Sequence, residues 1–117
     1  MIDKPLILIV DDNIDNILTI ELTLKHENYD FIEASNGKEA INQVIKYNPD
    51  VILMDAIMPI MDGFEATKKL RQLEYSKRTP ILMISSLSNK KDKILAIEAG
   101  VNDFITKPFD QIELRTR

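Results

Sequence analysis

The amino-acid sequence predicts an α/β domain built on a doubly wound parallel sheet. Two observations lead there: short unbroken apolar runs recur along the chain, and amphipathic stretches with helical spacing separate them. The runs Leu6 to Val10, Val51 to Met54 and Ile81 to Ile84 are too short for helices, and each ends at a polar cluster. Strands covered by helices on both faces read this way, because neither face meets water. Two weaker segments, Tyr29 to Ala34 and Asn102 to Thr106, complete the alternation and give five βα units.

The helices follow in order. Ile14, Ile17, Leu18 and Leu22 recur at three-to-four spacing after a cap at Asp12 or Asn13, and Ala40, Ile41, Val44 and Ile45 do so before Asn48-Pro49. Ala66, Leu70 and Leu73 form a third stripe, and Ile94 and Ile97 a fourth that ends at Ala99-Gly100, where glycine suits a left-handed cap. Each stripe is expected to face the sheet. The three most apolar strands belong in the centre, and those bearing Asp30, Glu33 and Asp103 at the edges. With right-handed crossovers this ranking fits the flavodoxin-like (βα)5 order 2-1-3-4-5. The crevice between strands 1 and 3 is then the switch point where ligands bind. After Phe109 the last residues begin a helical pattern of about two turns, marginal by itself. The expectation is one domain over residues 1–117, cut from a longer chain with its fifth helix truncated.

Composition narrows the chemistry. The 117 residues include no cysteine and three glycines, with 19 acidic and 15 basic side chains for a net charge of −4. Without cysteine there is no disulfide framework, zinc finger, iron–sulfur site or thiol nucleophile. Gly37, Gly63 and Gly100 are too far apart to write a dinucleotide fingerprint or a phosphate loop. His26 stands alone and makes no metal site; it reads as a surface residue. No apolar run approaches the ~18 residues of a membrane span or the roughly 7–15 of a signal-peptide core, so a soluble cytoplasmic protein is expected. The acidic balance argues against nucleic-acid binding by this segment.

The ends of the strands carry the functional signal. Strand 1 ends at Asp11-Asp12 and strand 3 at Asp55, which gathers three carboxylates around one crevice. Such charges repel at low dielectric, so either some stay protonated or a cation lies among them. Hard oxygen ligands without His or Cys favour Mg²⁺. The plainer alternative is that Asp12 caps the first helix and Asp55 a loop. Strand 4 ends at Ser85-Ser86 and strand 5 at Lys107-Pro108, adding a hydroxyl and an ammonium to the same rim. These parts converge on phosphoryl transfer to a carboxylate, with Asp55 as nucleophile, Asp11 and Asp12 holding metal, and Lys107 and Ser85 neutralising phosphoryl oxygens.

Asp11-Asp12, the stretch Asp55 to Gly63 (Asp-Ala-Ile-Met-Pro-Ile-Met-Asp-Gly), Ser85 and Lys107-Pro108-Phe109 together resemble the receiver (CheY-like) domain of two-component response regulators, over nearly the whole chain. The resemblance implies that Asp55 takes a phosphoryl group from a phosphohistidine of a sensor histidine kinase or phosphotransfer protein. It implies Mg²⁺ binding by Asp12, Asp55 and the backbone carbonyl of Ile57, with Asp11 acting largely through water. It also implies a switch through Ser85 and Phe104, a Lys107-Pro108 bond that is often cis, and an output face on helix 4, strand 5 and helix 5, bordered here by Lys90, Lys91 and Lys93. A homodimer stays open.

The chain departs from the family at a few places. Phe104 lacks the hydroxyl of a Tyr at the switch position, so a hydrogen bond that would hold one rotamer is missing; Phe104 also reads simply as strand packing. Ile57 and Leu87, two residues beyond Asp55 and Ser85, are apolar and cannot position an attacking water, which implies slow self-dephosphorylation. An aspartyl phosphatase is the enzymatic rival, but it needs an acid where Ile57 stands and a substrate cap for which the length leaves no room. A flavin-binding module would need a Ser, Thr and Gly-rich loop where Asp11-Asp12-Asn13 stand. A scaffold independent of phosphorylation would not need the full set of site residues.

Overall fold

The computed structural model describes residues 4–85 and 90–107. Five parallel strands form one sheet in the order β2-β1-β3-β4-β5: β1 Leu6–Val10, β2 Asp30–Ala34, β3 Val51–Asp55, β4 Ile81–Ser85 and β5 Asp103–Thr106. Four helices alternate with them: α1 Ile14–Leu24, α2 Gly37–Tyr47, α3 Gly63–Leu70 and α4 Lys90–Ala99. The predicted class and strand order are the observed ones. Pro108, Phe109 and the expected fifth helix, together with Ser86, Leu87 and the His26 side chain, lie outside the described residues.

The period-two geometry of the strands splits the core into two layers. Leu8, Val10, Ile52, Met54, Ile81 and Met83 pack with Ala40, Val44, Ala66, Leu70 and Ala96 from α2, α3 and α4. Ile7, Ile9, Leu53, Leu82 and Ile84 point to the other face, where Ile17, Ile20 and Leu24 of α1 cover them. Both faces of β1, β3 and β4 are therefore dry, which is why these strands read as continuous apolar runs.

Helix starts follow local chemistry. The side chains of Asn13, Asn36 and Asp62 accept from the backbone N–H of Asp15, Glu39 and Glu65, satisfying donors that each first turn leaves open. Asn13, not Asp12, is thus the first cap. Gly100 follows α4 at φ +110°, the left-handed conformation expected there.

The predicted inner faces of two helices need correction. Ile14, Leu18 and Leu22 are exposed, and α1 instead buries Ile17, Ile20 and Leu24. In α4 the buried residues are Ala96 and Ala99, whereas Ile94 and Ile97 are exposed. α1 is apolar on more than one side, so spacing alone offered two stripes. In α4 small residues let the helix lie close to the sheet and leave the larger ones outside. On α2, Ala40 and Val44 are buried and Ile45 exposed, and Leu73 lies beyond the end of α3 while still packing on the core.

The two sides of α1 should separate cleanly in stability. Ile17→Ala, at a position 3% exposed, is expected to cost about 2–5 kcal/mol, and Leu22→Ala, 63% exposed, within about 0.5 kcal/mol, measured by urea unfolding.

Candidate functional site

Sheet register assembles the site. Val10 pairs with Met54, so the residues that follow them, Asp11 and Asp55, leave the sheet side by side. Asp55 pairs with Ile84 and Ser85 with Thr106, which brings Ser85 and then Lys107 to the same carboxyl-terminal edge. One polar residue after each apolar run is sufficient, because the strands are aligned to within a residue.

Asp11, Asp12 and Asp55 each present a carboxylate oxygen within 4.8 Å of the others. Asp11 is 3% exposed and Asp55 9%, while Asp12 is open to solvent. Lys107 Nζ donates to Asp11 Oδ2 at 3.2 Å and lies 3.7 Å from Asp55 Oδ1. The Asn13 N–H donates to Asp11 Oδ1 at 3.0 Å and the Ala56 N–H to Asp55 Oδ1 at 2.9 Å. Among the described residues one ammonium faces three carboxylates, leaving an excess of two negative charges, the charge that one divalent cation neutralises. The spacing suits a small ion: with Mg²⁺–oxygen bonds of about 2.1 Å, two ligands on one ion sit at most about 4.2 Å apart, so closing the triad takes only side-chain adjustment.

Burial pushes the Asp55 carboxyl up from 3.8 to about 6, and the neighbouring charge of Asp11 adds to the rise. Lys107 and the Ala56 N–H pull in the opposite direction without cancelling it. Near neutral pH Asp55 is mainly ionised, yet it is poorly solvated and crowded by like charge.

Ser85 is buried at the end of β4, and its backbone carbonyl accepts from the Lys107 N–H at 2.7 Å. Phe104 is partly buried against the α2–α3–α4 layer and borders a cleft of about 260 Å³ shared with Lys93, Ile97 and Val101. Ile57 is 57% exposed in the β3–α3 loop, beside Asp55 in sequence. A larger open cleft of about 440 Å³ lies at the opposite, amino-terminal ends of β3 and β4, lined by residues such as Asp50, Glu74, Lys77 and Arg78. Among the described residues the one cluster of three carboxylates lies at the other end of the sheet.

Sequence reasoning passed over the backbone of the β3–α3 loop. Ile60 has φ +70° and closes a tight turn in which the Met61 N–H donates to the Pro59 carbonyl at 2.7 Å. A β-branched residue in that region is strained. Gly63 is required by space: a Cβ there would overlap the Asp55 carbonyl oxygen. Nothing in residue type announces a strained Ile60. Glycine after an Asp cap could have signalled the close approach at Gly63.

An open α/β sheet with an acidic cluster and one lysine at the switch point defines a class of phosphate-handling proteins that use carboxylates and metal in place of a glycine-rich loop. Residues 7–117 match the response regulator receiver domain family, and the chain belongs to it. It is similar to the alkaline phosphatase synthesis transcriptional regulatory protein PhoP of Bacillus subtilis, 38% identical over 95% of this chain and 45% of that protein. It is 37% identical to the response regulator PleD of Caulobacter vibrioides over 95% of this chain and 24% of that one. The chain thus spans less than half the length of these curated relatives. Among solved structures, the receiver domain of sensor histidine kinase PA1611 from Pseudomonas aeruginosa, with magnesium in its active site cleft, superposes with a TM-score of 0.90 at 32% identity, over 97% of this chain and 93% of that one. The receiver domain is a signalling domain and not a classical enzyme. Among the described residues no helix is long and apolar enough to cross a membrane.

The raised Asp55 pKa fixes the sign of a pH effect. Because the native state holds this proton more tightly than the unfolded chain, stability contributed by Asp55 is fully present below about pH 3.8 and is lost as pH rises to about 6. With divalent metal chelated, Asp55→Asn is expected to be more stable than wild type at pH 7, by about 1–2 kcal/mol after allowance for screening, and the difference should vanish near pH 4. Urea unfolding at the two pH values checks this.

Proposed function

We propose that Asp55 is the phosphoacceptor of a two-component phosphorelay switch. The observation that carries this reading is the Lys107 ammonium set between Asp11 and Asp55, with Asp12 beside them and the charge excess unrelieved. An Asp55 oxygen attacks the phosphorus of a phosphohistidine on a histidine kinase or phosphotransfer protein. The phosphorus–nitrogen bond breaks, a phosphorus–oxygen bond forms, and the imidazole departs and takes up a proton. Asp12, Asp55 and the Ile57 carbonyl would hold Mg²⁺, with Asp11 acting largely through water, and the ion would supply neutralising charge for the carboxylates and the transferred group. Lys107 turns from the carboxylates to a phosphoryl oxygen, and the Ser85 hydroxyl donates to another. In this sense the domain at most catalyses its own phosphorylation, and the loss of the same group.

The same reading supplies the output. Phosphorylation shifts a pre-existing equilibrium: Ser85 is drawn toward the phosphoryl group, and Phe104 moves beside the cleft it borders with Ile97 and Val101. The α4–β5 side then meets an output domain, a partner or a second copy of the chain. The exposed Ile94, Leu95 and Ile97 on α4 support that assignment. Residues 1–117 act as one receiver domain of a longer cytoplasmic protein.

Incubation with Mg²⁺ and acetyl phosphate should add one phosphoryl group by intact mass, and Asp55→Asn should add none. Ile57 and Leu87, being apolar, cannot position an attacking water, so the modified protein should keep its label far beyond a few seconds after donor removal. Absence of labelling, with a cognate kinase as well, would refute the switch.

A further inference from the structure

We infer that the β2–α2 segment Ala34 to Gly37, which contributes no side chain to the acidic cluster, is a clamp that positions both acid-bearing loops, with Gly37 as its positioning residue. The inference rests on the proposed reading of the Ile57 carbonyl as a metal ligand. The Ala34 carbonyl accepts from the Asp11 N–H at 3.0 Å, holding the loop that follows β1. Three residues later the Gly37 N–H donates to the Met61 carbonyl at 2.9 Å, holding the loop that follows β3. The segment is itself fixed: Ser35 N–H and Oγ donate to the Glu39 carboxylate at 3.2 and 3.0 Å, and Asn36 Oδ1 accepts from the Glu39 N–H at 2.9 Å.

The β3–α3 loop is therefore hooked twice, since the Gly63 N–H also donates to the Ala56 carbonyl at 2.9 Å. Ile57 lies between the hooks. The strained turn at Ile60 lets Met61 reach Gly37, and persists because the surrounding contacts hold it. A Cβ on Gly37 would lie 2.7 Å from the Met61 carbonyl oxygen and 2.9 Å from Met61 Cγ and Ala66 Cβ. Gly37 is not at positive φ, and alanine is the better helix former, so the cost of an added methyl falls on what it meets, Met61 in the loop and Ala66 of α3. Groups one step behind a metal's ligands govern its affinity by fixing their orientation.

Isothermal titration of MgCl₂ tests the clamp in four proteins: wild type, Gly37→Ala, Asp12→Asn and Gly100→Ala. Gly100, at φ +110° with Arg71 Cγ 2.9 Å from any added Cβ, lies at the amino-terminal end of β5, so its substitution destabilises the fold away from the site. Gly37→Ala is expected to weaken Mg²⁺ by about 10-fold or more, Gly100→Ala to bind as wild type, and Asp12→Asn to lose binding. Unchanged affinity in Gly37→Ala with loss in Asp12→Asn overturns the clamp and leaves the site standing. Unchanged affinity in Asp12→Asn overturns the site reading, and the clamp with it. An equal loss in Gly100→Ala also overturns the clamp, since the effect would then follow global stability. If Gly37→Ala does not fold, Ile60→Gly decides: a higher melting temperature with weaker Mg²⁺ supports the clamp, and wild-type affinity overturns it.

Discussion

The structure turns on an electrostatic conflict that the sheet register creates. Aligned parallel strands deliver Asp11 and Asp55 side by side at the switch point, with Asp12 at the rim and one ammonium, Lys107, between the two buried carboxylates. Burial raises the energy of the Asp55 charge, and the nearby charge of Asp11 raises it further. The core of Leu, Ile, Val and Met below stabilises the fold strongly enough to tolerate that strain. The same conflict makes the cluster responsive, because a divalent cation or a transferred phosphoryl group changes the balance of charge at one point where four strands end.

How the conflict reaches the surface follows from architecture. Both faces of the central strands are sealed, so the carboxyl-terminal edge is the place where side chains can change partners without opening the core. Lys107 follows β5, and Phe104 lies within it, so the ammonium and the aromatic ring are carried by one short strand. Around Gly37, Gly63 and Ile60 the backbone is fixed by close approach and by hydrogen bonds, Gly37 N–H to Met61 and Gly63 N–H to Ala56, which tie the β3–α3 loop at both ends.

Much of this was legible in the sequence, for physical reasons. Strands buried on both faces become continuous apolar runs, so β1, β3 and β4, the strand order and the polar residues at their ends could all be read. Asp11, Asp12, Asp55 and Lys107 come together as the spacing implied. Less legible were helix faces and backbone conformation. α1 offers two apolar stripes, and only packing reveals that Ile17, Ile20 and Leu24 face inward. α4 touches the sheet through Ala96 and Ala99, which carry little hydrophobic signal against the exposed Ile94 and Ile97. Ile60 at positive φ contradicts its own preference, and Gly37 is required by a carbonyl from a loop 24 residues away in the chain.

The central claim is that the carboxylate cluster is incompletely neutralised by protein and completed by a divalent cation. Its most direct measure is unfolding free energy against Mg²⁺ concentration, for wild type and Asp12→Asn. A site that binds only in the folded state stabilises wild type progressively as Mg²⁺ rises through its dissociation constant. Asp12→Asn should be at least as stable as wild type without metal and gain nothing from it. Equal gains in the two proteins, or none in wild type, would contradict the account.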